Sequence, residues 1–241
     1  DVDRVINLAK LKTHGMMKMT GAVKNLFGTV PGTMKAEYHL NWPELDRFAD
    51  ALIDVCLAAS PDLSLIDGIV AMEGDGPSSG DPREVGVILA SQSPYQLDRV
   101  AAAIIGAEPE EIPTLRQSIK RGLASEHLKD VALMGDSLNS LIQRDFRKPE
   151  LNEVNWINGK LPAVLVRAIN RTLRSKPVFD HQICVGCKDC YHNCPPKAIA
   201  MVEKRPVVDL EQCIRCYCCQ ELCPHKAVTI RRPRLLQRWS K

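Results

Sequence analysis

A repeat of cysteines at a 29-residue interval is the feature that most constrains what this chain can fold into. Nine of its ten cysteines fall between residues 184 and 223. Shifting one set of four by 29 residues gives the other set, and each copy has the pattern Cys-x2-Cys-x2-Cys-x3-Cys-Pro. The first copy contains Cys184, Cys187, Cys190 and Cys194, and the second contains Cys213, Cys216, Cys219 and Cys223.

This spacing is typical of iron–sulfur ligation in bacterial proteins. Three thiolates two residues apart lie on one tight loop that wraps three corners of an iron–sulfur cube, while the fourth, followed by proline, ligates the other cluster. The sequence therefore predicts two 4Fe–4S clusters with crossed ligands. We assign Cys184, Cys187, Cys190 and Cys223 to the first cluster, and Cys213, Cys216, Cys219 and Cys194 to the second.

Zinc is the alternative metal, because paired Cys-x2-Cys motifs also build tetrahedral thiolate sites. Zinc sites usually have a longer spacer and need neither a third cysteine nor a trailing proline, so the pattern favours iron–sulfur. Two cysteines fall outside the repeat. Cys218, whose counterpart is Asp189, is expected to be a free thiol beside a cluster rather than a ligand. Cys56 is expected to be a small buried hydrophobe on the apolar face of a helix.

Residues 178–230 resemble the two-cluster bacterial ferredoxins, with both cysteine motifs complete. The resemblance implies a small α+β domain, a pair of hairpins and helices around two cubanes that pass single electrons. The segment departs from that family in Cys218 and in its basic charge, because small ferredoxins are usually acidic.

Composition places the chain among globular proteins, with 45% hydrophobic and 25% charged residues. No apolar run approaches the roughly 18 residues that a membrane span requires, and no secretory leader is visible. We therefore expect a cytoplasmic protein with no transmembrane segment. The chain starts at Asp1 rather than Met, and a core strand follows directly, so we expect it to be a piece of a longer protein.

Charge divides the chain into two parts. Residues 1–155 contain 16 Lys and Arg against 23 Asp and Glu, a net charge of −7, whereas residues 156–241 contain 16 against 6, a net charge of +10. The asymmetry favours docking of a basic module on an acidic lobe over a membrane surface, and we expect no nucleic acid. The expected domains are an α/β domain at 1–145, a linker and basic amphipathic helix at 146–177, the dicluster domain at 178–230 and a basic tail at 231–241.

The longer N-terminal lobe has the pattern of an α/β domain. Strands that are apolar on both faces and alternate with helices predict a mainly parallel sheet covered on both sides. The predicted strands are 4–9, 63–71, 85–90 and 130–134, and the predicted helices are 20–27, 43–59, 95–105 and 111–121.

A stretch without acidic residues lies between Asp3 and Glu37. Cations beside a short helix that Thr20 caps and Gly28 ends favour an anion such as phosphate or carboxylate. A solvated basic face is the alternative. The candidate residues for a small anionic ligand are Lys10, Lys12, His14 and Lys24.

A second candidate site is the glycine-rich loop from Glu73 to Pro82. Its glycines let the backbone approach a ligand, and carboxylates at the end of a strand suit a hard cation. A polar turn between two strands is the alternative, and the loop has neither the P-loop nor the dinucleotide-binding pattern. The candidate cofactor-binding residues are Asp67, Glu73, Asp75 and Asp81, with Lys10 from the basic stretch.

Two histidines are candidate proton carriers, because an unperturbed imidazole titrates near neutral pH. They are His14 and His39, and a surface or hydrogen-bonded role is equally open for each. No nucleophile set of the Ser–His–Asp or Cys–His kind is visible. The candidate catalytic set is therefore His14, Lys12, Lys24 and His39.

Several short motifs occur in order along the N-terminal lobe: Lys10–Gly15, Gly21–Gly28, Pro31–Gly32, Lys35–His39, Met72–Pro77 and Gly80–Pro82. In this order they resemble the "domain of unknown function 362" family over about residues 1–140. The resemblance implies further strands and helices before Asp1 and a C-terminal two-cluster ferredoxin segment. It implies no substrate.

Three functions are compatible with these features. In the first, which we favour, a redox enzyme passes electrons through its clusters to a small anionic substrate in the α/β lobe. In the second, the chain is a non-catalytic electron carrier or adaptor for a partner enzyme. In the third, it binds a ligand and its clusters are structural or sensory. Two clusters make a conduit more readily than a scaffold, so we expect a redox partner protein.

Overall fold

The computed structural model describes residues 2–149 and 175–231, and the chain divides into two compact units at residue 149. The predicted amphipathic helix of the linker and the basic tail after Arg231 lie outside the described residues. Among the described helices, none has the length and apolar character that crossing a membrane requires.

The N-terminal unit is built on a four-stranded sheet. Its strands are β1 (Ile6–His14), β2 (Lys18–Thr20), β3 (Leu63–Glu73) and β4 (Asp81–Ser91), in the order β2-β1-β3-β4. Only β1 and β3 pair in parallel, and the other two pairings are antiparallel. The sheet is therefore mixed, and the expectation of a mainly parallel sheet is not confirmed. The connections β1–β2 and β3–β4 are too short for the crossover that a parallel pairing requires.

Most helices of this unit lie where the sequence periodicity predicts a helix. All four predicted helices have a counterpart, with ends shifted by a few residues, and two further helices, Gly32–Asn41 and Leu138–Leu141, are not among the predictions. The helices of this unit are α1 (Ala22–Asn25), α2 (Gly32–Asn41), α3 (Leu45–Ala59), α4 (Pro94–Ile104), α5 (Pro113–Lys120) and α6 (Leu138–Leu141), with short 3-10 turns at Leu26–Thr29, Pro109–Glu111 and Leu128–Asp130.

The predicted strand at 130–134 is wrong. A 3-10 turn ends at Asp130, and the apolar run that follows pairs with no strand of the described sheet. Leu133 and Met134 are exposed. A short apolar run satisfies the sequence pattern of a buried strand without having a neighbouring strand to pair with, and periodicity alone cannot tell these cases apart.

One face of the sheet forms the core of this unit. Leu11 and Ile66 point inward to α1, α3 and α4, and Cys56 of α3 lies in the same cluster. On the opposite face Leu8 and Ile88 are 69% and 62% exposed. The described helices thus cover one side of the sheet, which corrects the expectation of cover on both sides. The alternation of buried and exposed residues along β1 is typical of a sheet with one open face.

The start of α1 is fixed by a distant side chain. Thr20, the predicted cap, ends β2 instead, and Gly21 occupies the cap position without a side-chain hydrogen bond. The Asp98 carboxylate accepts hydrogen bonds from the Ala22 and Val23 backbone N–H groups, at 2.5 and 3.1 Å. Burial raises the pKa of Asp98 to about 7, although these two N–H groups lower it. The helix end is therefore capped by a buried group from α4.

The predicted end of this helix is also different. Gly28 lies inside the 3-10 turn that continues α1, and Val30 follows that turn in an extended conformation. The φ of Gly28 is not positive, whereas a positive φ is what makes glycine a common helix terminator.

The C-terminal unit repeats one strand–helix–strand motif. The first copy contains β5 (Lys176–Phe179), α7 (Asp189–His192) and β6 (Ile199–Val202). The second copy contains β7 (Arg205–Val208), α8 (Cys218–Glu221) and β8 (Val228–Arg231), each offset by 29 residues from its counterpart. Because β5 pairs with β8 and β6 with β7, each two-stranded sheet joins the two copies.

We predict that Gly21→Ala destabilises the N-terminal unit, because a Cβ at this position lies 2.1 Å from Asp98 Oδ1 and displaces the cap. Overpacking of this kind costs about 1–3 kcal/mol. Gly28→Ala is the matched control, since a Cβ there has no heavy atom within 4 Å. Urea unfolding followed by circular dichroism measures both variants. Equal stability of the two contradicts the role of Asp98.

Candidate functional site

The first cysteine-lined cavity takes its thiols from both repeats. Cys184 and Cys187 lie on the loop before α7, Cys190 lies in α7, and Cys223 follows α8. The cavity has a volume of about 360 Å³, including its open mouth. Apart from the thiols its lining is largely apolar and includes Phe179.

The second cavity repeats this arrangement with the copies exchanged. Cys213 and Cys216 lie on the loop before α8, Cys219 lies in α8, and Cys194 follows α7. Its volume is about 330 Å³ on the same measure, so the two cavities are closely similar in size. Each cavity thus brings together three thiols of one repeat and the last thiol of the other.

Left-handed backbone conformations shape both loops. Gly186 and Lys188 have φ values of +75° and +71°, and their counterparts Arg215 and Tyr217 have +58° and +63°. Such residues turn successive N–H groups toward one side of the chain, where they attract negative charge.

The two crossing thiols also accept backbone hydrogen bonds. Cys194 Sγ accepts from the N–H of Ala198, and Cys223 Sγ from the N–H of Ala227, both at 3.3 Å. Hydrogen bonds of this kind stabilise thiolates at iron–sulfur sites.

The electrostatics of the cavities disfavour bare thiolates. Burial, together with the nearby Cys184, Cys187 and Cys223, raises the pKa of Cys190 to about 11. Burial also raises the pKa of Cys219, as do Cys216 and Cys213. Thiols crowded in this way ionise together only beside a cationic group that neutralises them. This donor set fits a soft, positively charged iron–sulfur core.

Cys218 lies beside this set without lining either cavity. It is the first residue of α8 and is 9% exposed. Its interaction with Cys216 lowers the pKa of Cys216 and raises that of Cys218. Cys56 is 1% exposed in the core of the N-terminal unit. Burial raises its pKa to about 11, so it is a poor nucleophile.

The lysines of the candidate anion site in the N-terminal unit have different surroundings. Lys10 Nζ lies 2.5 Å from Asp67 Oδ2 and 3.0 Å from the Val70 carbonyl, so this lysine is engaged within the sheet. Hydrogen bonds from Lys10 and Ile69 lower the pKa of Asp67. Lys12 on β1 and Lys24 on α1 are partly exposed.

The two candidate histidines are buried. His14 Nδ1 accepts hydrogen bonds from the N–H groups of Met16 and Met17, which fixes the turn between β1 and β2. Because Nδ1 accepts, a neutral His14 has its proton on Nε2. His39 stacks on Phe48 with ring centroids 4.4 Å apart and lies edge-on to Phe27. These contacts give both histidines a packing role.

Two carboxylates of the glycine-rich loop accept hydrogen bonds from one arginine. Arg147 donates from Nε to Glu73 and from Nη2 to Asp81, each at 2.8 Å. Its backbone N–H also donates to Glu73, and its carbonyl accepts from Gly74. Asp75 lies between these residues in the same loop. Within residues 2–149 and 175–231, no three His, Cys, Asp or Glu side chains converge on a position for a single metal ion.

The glycine-rich loop and the end of β1 meet at one edge of the sheet. Gly15 donates its N–H to the Gly76 carbonyl at 3.0 Å, and Gly76 donates to Thr13 Oγ1 at 3.3 Å. A Cβ on Gly76 lies 2.2 Å from the Thr13 carbonyl oxygen, so only glycine fits there. The carboxyl ends of the parallel strands β1 and β3 therefore form this edge, the usual position of ligand sites in open α/β sheets.

Sequence analysis did not identify Asp98 or Arg147. Both act on partners more than 60 residues away along the chain, and no local motif precedes either residue. A buried aspartate inside the amphipathic pattern of α4 is the one signal that points to Asp98 in advance.

Comparison with known proteins identifies two regions of the chain. Residues 1–103 match the sequence model of a domain of unknown function (DUF362), and residues 176–224 match that of a 4Fe-4S dicluster domain. These matches confirm both resemblances seen in the sequence and favour iron–sulfur over zinc. The chain is also 48% identical over 124 residues to the thylakoid-associated protein sll1697 of Synechocystis sp. (strain ATCC 27184 / PCC 6803 / Kazusa). The matched segment covers 51% of this chain and 39% of that protein.

We predict that Gly186→Ala weakens the binding of iron in the first cavity, because a Cβ there lies 2.8 Å from the Lys204 carbonyl oxygen. Gly122→Ala is the matched control, since Gly122 has a similar φ of +70° with no heavy atom near its Cβ position. Both variants bear the cost of a left-handed alanine, about 1–2 kcal/mol. Only Gly186→Ala is expected to release iron faster to a chelator. Equal release rates contradict the steric role of Gly186.

Proposed function

We propose that the C-terminal unit holds two 4Fe–4S clusters with crossed ligands and passes single electrons to a redox partner protein. The observation that supports this most strongly is the division of eight thiols between two similar cavities, four to each. The match of residues 176–224 to a 4Fe-4S dicluster domain marks the chain as an iron–sulfur protein of the electron-transfer type. The number of clusters and their ligands are part of the proposal.

In this proposal the residues of the chain bind the clusters and tune their potentials. When bound, such clusters take up and release one electron each over a wide range of potentials. The thiolates hold the iron, and backbone N–H groups such as those of Ala198 and Ala227 stabilise negative charge on the sulfurs. The exposed Cys187 brings one cavity to the surface, where a partner has access. Such thiols persist in a reducing compartment, which we propose is the cytoplasm.

A second candidate function rests on the edge formed by β1 and the glycine-rich loop. Here the N-terminal unit either reduces a small anionic substrate with electrons that the clusters supply, or oxidises it and passes the electrons to the clusters, which makes the chain an oxidoreductase. Convergence of Thr13 and Gly76 at the carboxyl ends of parallel strands supports a ligand site at this edge. Lys12 is the cation of β1 best placed to hold the anion, because Lys10 is engaged by Asp67.

Double variants test the crossed ligand sets, with each pair acting as the control for the other. The proposal assigns Cys213 and Cys194 to one cluster, so Cys213→Ala with Cys194→Ala is expected to retain the other cluster, about four irons. Cys184→Ala with Cys194→Ala removes a ligand from both clusters and is expected to lose nearly all the iron. Iron and sulfide analysis after anaerobic purification measures both. The reverse result establishes ligation within each repeat.

Lys12→Ala tests the second candidate function, with Lys10→Ala as its matched control. Inorganic phosphate is the probe anion, titrated into the full chain by isothermal calorimetry. Loss of a charge-assisted hydrogen bond costs about 1.5–3 kcal/mol, so Lys12→Ala is expected to weaken binding at least tenfold. Lys10→Ala is expected to bind as the unaltered chain does. Equal affinities in both variants, or no saturable binding, contradict an anion site at Lys12 and favour the carrier function.

A further inference from the structure

A cavity of the N-terminal unit is larger than either cysteine-lined cavity. Its volume is about 660 Å³, including its open mouth, against about 360 and 330 Å³ for those two. The residues that line it belong to β4, to α4 and to the segment 133–141 that contains α6. Volumes of a few hundred Å³ are typical of sites that bind a ligand.

Strand β4 faces this cavity with its backbone edge. It stands last in the strand order β2-β1-β3-β4, so β3 pairs with one of its two edges only. All four consecutive residues of Gly86–Leu89 line the cavity. Successive side chains of a strand point to opposite faces of the sheet, so four residues in a row line one cavity where the edge of the strand opens into it.

The outer edge of β4 has hydrogen-bonding groups to offer a ligand. Pairing with β3 is regular from Val87 to Ser91 and shifts between Glu84 and Val87, where Gly86 has a φ of +76°. In a regular antiparallel ladder every second residue turns its N–H and C=O groups away from the partner strand. Within residues 2–149 and 175–231, only β3 forms backbone hydrogen bonds with Val87–Ala90. A strand edge of this kind is a template for a further extended segment.

The other walls of the cavity are mostly apolar. Val100 and Ile104 of α4 line it beneath the edge, and both are buried. Leu138 and Leu141 pack against the same apolar cluster. The exposed pair Leu133–Met134, from the apolar run that pairs with no described strand, also lines the cavity. Because a wall stands opposite β4, one extended segment fits between them, whereas the sheet of a second copy does not.

One charged residue, Asp136, is part of the cavity lining. It is exposed, and no residue in the described part of the chain forms an ion pair with it. Residues 1–155 have a net charge of −7, so the surroundings of this carboxylate are acidic on balance. Complementary charge steers and aligns a partner, and this carboxylate therefore favours a ligand with a basic side chain.

We propose that the outer edge of β4 and this cavity form a binding site for an extended peptide segment of a partner protein. The peptide adds a strand to the sheet by pairing with the outer backbone groups of Val87–Ala90. Its alternate apolar side chains contact Val100 and Ile104, and a lysine or arginine faces Asp136. The site lies in the N-terminal unit and is independent of the function proposed for the clusters.

The probe is a library of random peptides displayed on phage and selected against the full chain under anaerobic conditions. Enriched sequences are expected to alternate apolar and polar residues and to contain lysine or arginine. The most enriched peptide is then labelled with a fluorophore, and fluorescence anisotropy measures its affinity. Replacing alternate amides by esters removes the N–H donors of one peptide edge at a time. One set of replacements is expected to weaken binding about tenfold, and the set on the other edge is expected to have little effect.

Asp136→Lys tests the same site from the protein side. It places a cation opposite the basic residue of the peptide and is expected to weaken binding about fivefold. Asp130→Lys is the matched control, because Asp130 is also exposed, undergoes the same change of charge and does not line the cavity. This variant is expected to bind the peptide as the unaltered chain does.

Four results overturn the inference. The library yields no enriched sequence, or ester replacement on either edge leaves the affinity unchanged, which makes the cavity a site for apolar contact alone. Equal effects of Asp136→Lys and Asp130→Lys place the peptide elsewhere. A dimer of the full chain that the peptide dissociates, seen by analytical ultracentrifugation, puts a second copy at the edge instead. None of these measurements depends on iron, so each leaves the function proposed for the clusters unaffected.

Discussion

The structure of the C-terminal unit depends on the gathering of thiols that belong to different repeats. Cys184 and Cys223 line the same cavity although 39 positions separate them, and Cys194 joins Cys213 in the other. Within residues 175–231 the apolar core is small and includes Ile199 and Val228. A core of this size stabilises a fold weakly, and metal-bound ligands commonly supply the remainder. Because each cavity takes its thiols from both repeats, a group bound to all four of them also closes a long loop.

The N-terminal unit is fixed by polar groups that the core encloses. Asp98 caps α1 from α4, and its burial makes ionisation costly. Asn7 donates to the Ala22 carbonyl and to Ser64 Oγ, which ties β1 to α1 and β3. A buried polar group without its partner costs about 1–3 kcal/mol. These bonds therefore select one arrangement of helices on the sheet, and they place the end of β1 beside the glycine-rich loop.

The sequence predicts features that depend on nearby residues and misses those that depend on residues far apart along the chain. The cysteine sets follow from spacing within each repeat, and α3 follows from the periodicity of its apolar face, since both signals lie within a few residues. The mixed sheet depends on how short connections turn between strands, which apolar runs do not record. The cap of α1 depends on Asp98, 76 residues beyond Ala22, and the engagement of Glu73 depends on Arg147, 74 residues beyond it. No local pattern encodes such partners.

The same distinction explains why the repeat predicts the ligands and not their properties. Its equivalent positions place equal thiols around two cavities of nearly equal size. The properties of a cluster also depend on solvent and on donors at its sulfurs, and the repeat is broken at just these positions. Lys188 corresponds to Tyr217, and Tyr217 donates to the Ser175 carbonyl at 3.0 Å, which helps to close the second loop. The two cavities therefore differ in their surroundings although their thiols correspond one to one.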